Sequence, residues 1–218
     1  MKTRQRKHWP AFYNVTRVVI TSWLKLWLRY RAYGNENVPR EGGCILAANH
    51  ASYLDPSLVA CGIWHRSVRF MARDSLFRFP GFAQFMYWIG VVPLSRERGD
   101  VGALKRAIQL LKEGACICLY PEGTRTSDGE LQVAKGGIGF LIAKAGVPVI
   151  PTYIDGSFRA YPRGVRMIKP VRCRVYYGRP IEPSELAAFG TERDAYAKIG
   201  QLVMARIREL KDDANARE

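Results

Sequence analysis

Apolar residues recur along this chain with two different periods. In FYNVTRVVITSWLKLWLRY, residues 12–30, Phe12, Val15, Val19, Trp23, Leu26, Trp27 and Tyr30 fall at helical intervals, which predicts an amphipathic helix. Farther on, short apolar runs near 43–48 (GCILAA), 68–72, 91–94, 115–119, 148–153 and 171–177 read as strands. Residues 56–63, 80–89, 100–113 and 136–145 between them, and 193–211 at the end, read as helices. The clearest is GDVGALKRAIQLLKEG: Asp100 stands where it can cap, Leu104, Ile108 and Leu111 form an apolar stripe, and Gly114 ends it. Strand and helix alternating at this spacing predict an α/β fold, a single domain with a mostly parallel or mixed central sheet flanked by helices and preceded by the amphipathic N-terminal segment. The expected organisation is a basic aromatic segment at 1–36, the α/β domain at 37–210 and a polar tail at 211–218, since 218 residues suit one core rather than two.

Charge adds a partner to this picture. Lys and Arg number 34 against 19 Asp and Glu, a formal charge of +15, so the protein seeks something anionic: nucleic acid, a membrane surface or a phosphorylated small molecule. The first forty residues hold nine Lys or Arg and Glu36 as their sole acid, beside Trp9, Phe12, Tyr13, Trp23, Trp27 and Tyr30. Arg17, Lys25 and Arg29 interrupt any apolar span, which argues against a transmembrane helix and for an interfacial one. In that arrangement Trp9, Trp23 and Trp27 sit at the lipid boundary, while Arg17 and Lys25 meet anionic head groups. The other reading is a helix that covers the core with its charges in water. No nucleic-acid recognition motif is present, and nucleic acid is not an expected partner. Cys44, Cys61, Cys116, Cys118 and Cys173 form no C-x-x-C pair, so they are expected to be reduced, buried thiols in a cytosol-facing chain without a cleavable leader.

In parallel sheets ligands gather at the carboxyl ends of strands. Here those ends carry His50, Arg73 with Asp74, Ser95 with Arg96, and Glu122 to Arg125. Imidazole has its unperturbed pKa near neutrality, so His50 in NHASYLD can take a proton from a hydroxyl and return it elsewhere, with Asp55 holding one ring nitrogen and fixing the tautomer. Two alternatives stay open: Asp55 before Pro56 as an ordinary helix cap, and His50 as a turn residue stacked on an aromatic ring. In LYPEGTRTSDG, residues 119–129, Glu122, Gly123, Thr124 and Arg125 follow a strand. A guanidinium there suits a phosphate, and an Arg125–Glu122 pair tying down the turn suits the sequence equally. Lys135 in KGG adds a donor at a helix start. Arg96 and Arg98 either extend the positive patch or lie in solvent.

NHASYLD matches an NHx4D pattern and YPEGTRT an EGTR pattern, and from about Pro39 through Pro180 the chain resembles the glycerophospholipid acyltransferase family, most of all its bacterial 1-acyl-sn-glycerol-3-phosphate acyltransferases. GVVPLSRERGD resembles the family block with a characteristic arginine, here Arg96, although Pro93, Leu94 and Ser95 replace the usual aromatic-isoleucine-aspartate run. GVPVIPTYIDGS resembles the fourth block, with Pro148 and Pro151 in place. The resemblance implies acyl transfer from a thioester, acyl-CoA or acyl carrier protein, to a lysophospholipid hydroxyl. His50 would be the general base and Asp55 its orienting partner, with no acyl-enzyme, bound cofactor or metal. Arg96, Glu122, Gly123, Thr124 and Arg125 would hold the acceptor phosphate, with Lys135 beside them. The same chemistry on glycerol 3-phosphate or a lyso-aminolipid is the alternative. A peripheral or monotopic position on the cytoplasmic face of the inner or plasma membrane follows from substrates of this kind.

Overall fold

The computed structural model of the chain describes residues 10–73, 77–94, 99–190 and 192–216. A helix α1 (Pro10–Leu28) leads through a short strand β1 (Arg31–Tyr33) into an alternation of strands and helices: β2 (Cys44–Ala48), α2 (Asp55–Cys61), β3 (Val68–Arg73), α3 (Pro80–Trp88), β4 (Val92–Leu94), α4 (Gly99–Lys112), β5 (Cys116–Leu119), α5 (Gly136–Ala145) and β6 (Val149–Asp155). The chain closes with α6 (Ser157–Ala160), β7 (Arg174–Tyr177), α7 (Pro183–Ala187) and α8 (Arg193–Asn215).

The seven strands form one sheet in the order β1-β7-β6-β2-β5-β3-β4. Five run parallel, whereas β7 is antiparallel to β6 and β1 is parallel to β7, so the mixed sheet expected from the sequence is present. The central strands CILAA and CICL are buried at every residue, as strands covered on both faces must be. Leu46, Ala48 and Cys118 pack with Leu24 and Leu28 of α1 and Leu58 of α2. Ile45, Ala47 and Ile117 pack on the other face with Leu110, Leu111, Ile142 and Ile207 from α4, α5 and α8. All five cysteines are free and buried.

Three local expectations change. Strand β1 lies at the end of the segment 1–36 read as the basic aromatic N-terminal unit; its three residues have no detectable period and become a strand only by pairing, Arg31 with Arg174 and Tyr33 with Tyr176. The start of the segment read as a polar tail continues a helix: α8 runs to Asn215 and Ala214 is buried against the core. Helix α4 begins at Gly99, so Asp100 lies in its first turn rather than ahead of it, while Gly114 leaves the helix at φ 88 as a glycine can.

Helix α1 is as long as its period suggests, and most of its apolar stripe faces outward as the interfacial reading expects, but Arg17 does not. Tyr13, Arg17, Thr21, Leu24 and Leu28 point inward. Val15 and Val19, each 63% exposed, and Leu26, 84% exposed, point away from the protein together with Trp23 and Trp27. The expectation that Arg17 meets lipid head groups is therefore corrected. Its guanidinium donates to the carbonyl oxygens of Ile63 (2.6 Å), Trp64 (3.1 Å) and Arg66 (3.3 Å) and to Asn14 Oδ1 (3.0 Å). Carbonyl groups of the loop after α2 need donors once covered, and Arg17 is the permanent cation that covers them. Lys25 is exposed, as expected.

Candidate active site

Strands β2 and β5 are parallel neighbours with Ala47 opposite Leu119, so the segments leaving their carboxyl ends, 49–55 and 120–126, emerge side by side. This pairing joins two polar blocks about seventy residues apart. His50 Nδ1 lies 2.8 Å from Asp55 Oδ2. The same carboxylate oxygen accepts the backbone N–H groups of Ala51 (2.7 Å) and Ser52 (2.8 Å), and Asp55 is fully buried. Asp55 is thus not the cap of α2. Leu54 occupies the cap position without a side-chain bond, and the Asp55 carboxylate reaches back over the preceding loop. With Asp55 on Nδ1, Nε2 is the ring nitrogen left to exchange a proton.

Stacking and pairing of His50 turn out to coexist. Its ring lies on that of Tyr120, with centroids 3.9 Å apart and planes at 14°, and burial pushes the Tyr120 phenol well above its ordinary range, keeping it neutral. The backbone of His50 is held at both ends by the turn after β5: its N–H donates to Glu122 Oε1 (3.2 Å), and its carbonyl accepts from Thr126 N–H (2.8 Å). Glu122 therefore engages His50 rather than Arg125. Burial pushes the Glu122 carboxyl up to about 7, against the opposing pull of the His50 N–H, and its Oε2 is buried without a partner.

Arg125 has a different setting. Its guanidinium carbon lies 3.4 Å from the centre of the Tyr53 ring, and its Nη1 is buried without a hydrogen-bond partner. Tyr53 in turn packs against Tyr161, 5.9 Å between centroids. Gly123, at φ 66, closes the turn by donating to the Tyr120 carbonyl (2.9 Å). A Cβ there would come within 2.8 Å of Lys135 Cδ, so glycine is what lets the Lys135 stem lie across the turn. Thr124 and Lys135 are exposed.

The fold thus brings His50, Asp55, Glu122, Gly123, Thr124, Arg125 and Lys135 to one edge of the sheet. Trp23, Lys25 and Trp27 lie on the outer face of α1, and Arg17 on its inner face. Trp9, Asp74, Ser95, Arg96 and Arg98 lie outside the described residues. Four further residues shape the site without having been singled out. Tyr120 and Tyr53 supply the two rings; Ser52 Oγ donates to the Tyr161 carbonyl (2.7 Å) and accepts from Leu54 N–H (3.1 Å). The Asn49 amide clasps Ile154 of β6 through both N–H (2.7 Å) and carbonyl (3.1 Å). The signal for a ring beside His50 was present in the sequence, but which ring depends on strand order.

The family profile described as Acyltransferase matches residues 29–155. A chloroplast 1-acyl-sn-glycerol-3-phosphate acyltransferase of Brassica napus is 37% identical over 152 residues, 64% of this chain and 43% of that protein. A 1-acyl-sn-glycerol-3-phosphate acyltransferase of Bacillus subtilis is 27% identical over 183 residues, 84% of this chain and 88% of that protein. The chain thus spans less than half the length of the plant relative. The crystal structure of the 1-acyl-sn-glycerophosphate acyltransferase from Thermotoga maritima superposes with a TM-score of 0.75 at 28% identity, covering 91% of this chain and 79% of that one.

Proposed function

Because the chain belongs to the glycerophospholipid acyltransferase family, we propose that it transfers a fatty acyl group from an acyl thioester to the free hydroxyl of 1-acyl-sn-glycerol 3-phosphate, forming phosphatidic acid. The observation that carries this reading is the clamped His50–Asp55 pair beside a buried guanidinium nitrogen with no protein acceptor. Asp55 accepts the Nδ1 proton and keeps Nε2 free to act as base. As the acceptor oxygen attacks the thioester carbonyl, its proton passes to Nε2. The tetrahedral intermediate then expels sulfur as the C–S bond breaks, and the thiolate takes the proton from His50. Arg125, aided by Lys135 and by Arg96, binds the acceptor phosphate through fork-shaped, permanently charged donors. Glu122 holds His50 in place through its peptide N–H, and Gly123 and Thr124 shape the turn that presents Arg125. Either acyl-CoA or acyl carrier protein supplies the thioester.

The outward apolar face of α1 supports docking on a lipid surface. Phe79 and Phe82 at the start of α3 are also exposed, and Phe12 packs edge-on against Phe85 and Trp88, tying the two helices together. Trp27 donates to the Ile168 carbonyl (3.2 Å), which sets beside α1 a loop exposing Met167, Arg163, Arg166 and Lys169. Apolar rings flanked by cations fit the anionic cytoplasmic leaflet. Among the described residues no helix is long and apolar enough to cross a membrane, in keeping with a peripheral or monotopic position.

The test is an acyl-transfer assay in mixed micelles with 1-acyl-sn-glycerol 3-phosphate, glycerol 3-phosphate and a lyso-aminolipid as acceptors and both thioesters as donors. The lysophosphatidate is expected to be preferred, and His50→Ala to reduce turnover at least ~10²–10⁴-fold while the protein stays folded. Preference for another acceptor overturns the substrate assignment, and a wild-type rate in His50→Ala overturns the mechanism.

A further inference from the structure

The edge of the sheet away from β4 carries a cluster that the proposed chemistry leaves unused. Arg31 and Tyr33 alternate onto one face of β1, and Arg174 and Tyr176, their register partners, onto the same face of β7. The Tyr33 and Tyr176 rings stack with centroids 5.1 Å apart and planes at 16°. Together with Arg172, just ahead of β7, these residues line a cavity of about 230 Å³. Asp155 lies 3.6 Å from Arg174 and 3.3 Å from Arg159, so its carboxylate is shared between two guanidinium groups, and the cavity lining itself holds Arg31, Arg172 and Arg174 with no acid among its residues.

Its position relates it to the acyl-transfer site. Since β1 and β7 run opposite to β6, their first residues lie at the edge where β2 and β5 end. Asp155 directly follows Ile154, which Asn49 clasps next to His50. β7 and β1 are two and three strands from β2, roughly 10 and 14 Å at ordinary inter-strand spacing. Tyr176 belongs to the core on the α8 side of the sheet, whereas α1 packs on the opposite side. The cavity therefore opens away from the face that α1 would lay on lipid, toward soluble molecules. Several arginine forks around a flat aromatic pair match a ligand that combines phosphate with an aromatic base; inorganic phosphate would use only half of these features, and a protein carrier would need a broader surface.

On the acyl-transfer reading, on which this inference rests, we propose that the cavity binds the phosphorylated adenosine of coenzyme A, while the long flexible arm of the donor carries its thioester around the sheet edge to His50. An exposed tyrosine, Tyr33, offers its outer face to the adenine, and Arg31, Arg172 and Arg174 meet the phosphates.

Adenosine 3′,5′-bisphosphate is the probe, used with the full chain in neutral-detergent micelles. It is expected to bind by calorimetry and to compete with acyl-CoA. The double variant Arg31→Ala, Arg172→Ala, which alters two exposed side chains, is expected to lose that binding and to raise the KM for acyl-CoA about tenfold, about 1.4 kcal/mol, with kcat and the KM for acyl carrier protein donors unchanged. Tyr33→Ala should raise the same KM, and Tyr33→Phe should restore it. An unchanged acyl-CoA KM, with or without new self-association of a bared strand edge, overturns the proposal. So does a KM rise confined to acyl carrier protein, which would assign the arginines to a protein carrier, or weaker partition into anionic vesicles without a KM change, which would assign them to lipid. If no donor supports transfer to lysophosphatidate, the acyl-transfer reading fails, and calorimetry with the bisphosphate still decides whether the cavity takes a nucleotide.

Discussion

Arg17 and Arg125 both rest on aromatic rings, and they differ in what their nitrogens meet. Arg17 lies 4.7 Å from the centre of Trp64 and 5.4 Å from that of Tyr13, with both terminal nitrogens on protein acceptors and only Nε left unpaired. Arg125 stacks more closely, 3.4 Å over Tyr53, and its buried Nη1 has no acceptor. A covered donor without a partner costs about 1–3 kcal/mol, more when charged. Such a cost is tolerable where a ligand supplies the missing oxygen. On the proposed reading, the contrast separates Arg17, whose two terminal nitrogens are taken by protein acceptors, from Arg125, whose unmet terminal nitrogen would take the acceptor phosphate, although both carry the same charge.

The largest effect that can break this comparison is on stability. Arg17→Ala removes the charged donor of several covered carbonyls and is expected to cost about 3 kcal/mol, visible as a lower Tm, with kcat/KM per folded molecule unchanged in the cold. Loss of acceptor affinity at an unchanged Tm would place Arg17 with the ligand-facing groups after all. Arg125→Ala should do the reverse: kcat/KM for 1-acyl-sn-glycerol 3-phosphate falls about a hundredfold, about 2.7 kcal/mol, chiefly through KM, while melting stays near wild type. In the same assay Tyr53→Ala should cost about fivefold and Tyr53→Phe almost nothing, since the ring face is what orients the guanidinium. Melting that drops with Arg125→Ala as it does with Arg17→Ala would erase the distinction.

The two faces of α1 extend the contrast, one side satisfied by protein and the other side bare. Leu26→Glu should weaken partition into anionic vesicles about tenfold and leave transfer in detergent micelles intact; equal partition of the variant and wild type would remove lipid from the account of this helix. A pH dependence at Glu122 tests the turn that clamps His50. Its folded carboxyl titrates near 7 against an ordinary 4.5, so between these values the folded chain holds a proton that the unfolded chain has released. Its contribution to stability is full below about 4.5 and is lost as pH rises through about 7. Melts of wild type and Glu122→Gln across this interval should show the wild type losing ground to the variant as pH rises, then running parallel. A constant difference would mean that the carboxyl titrates at its ordinary value when folded.

Much of this molecule was legible before its structure. Buried strands such as CILAA and CICL announce themselves because a run covered on both faces must be apolar throughout, and the helices between them follow from their period. His50, Asp55 and the turn from Glu122 to Arg125 stand out because polar groups at strand ends have few structural reasons to be there. Local pattern alone, however, left Asp55 open as a cap and Glu122 open as a partner of Arg125. Glu122 was decided by the adjacency of β2 and β5, a contact across some seventy residues that no local spacing encodes, whereas Asp55 was decided inside its own loop, where its carboxylate bonds His50, Ala51 and Ser52. In α1 the interfacial reading put Trp23 and Trp27 outside, where they lie, but only packing against the loop after α2 shows that Arg17 lies inside. Chain order thus determined the elements and the chemistry available to them, because backbone period and side-chain type are local properties. Tertiary structure decided which groups meet and which donors remain unmet, because hydrogen bonds and burial are settled by residues distant in the chain.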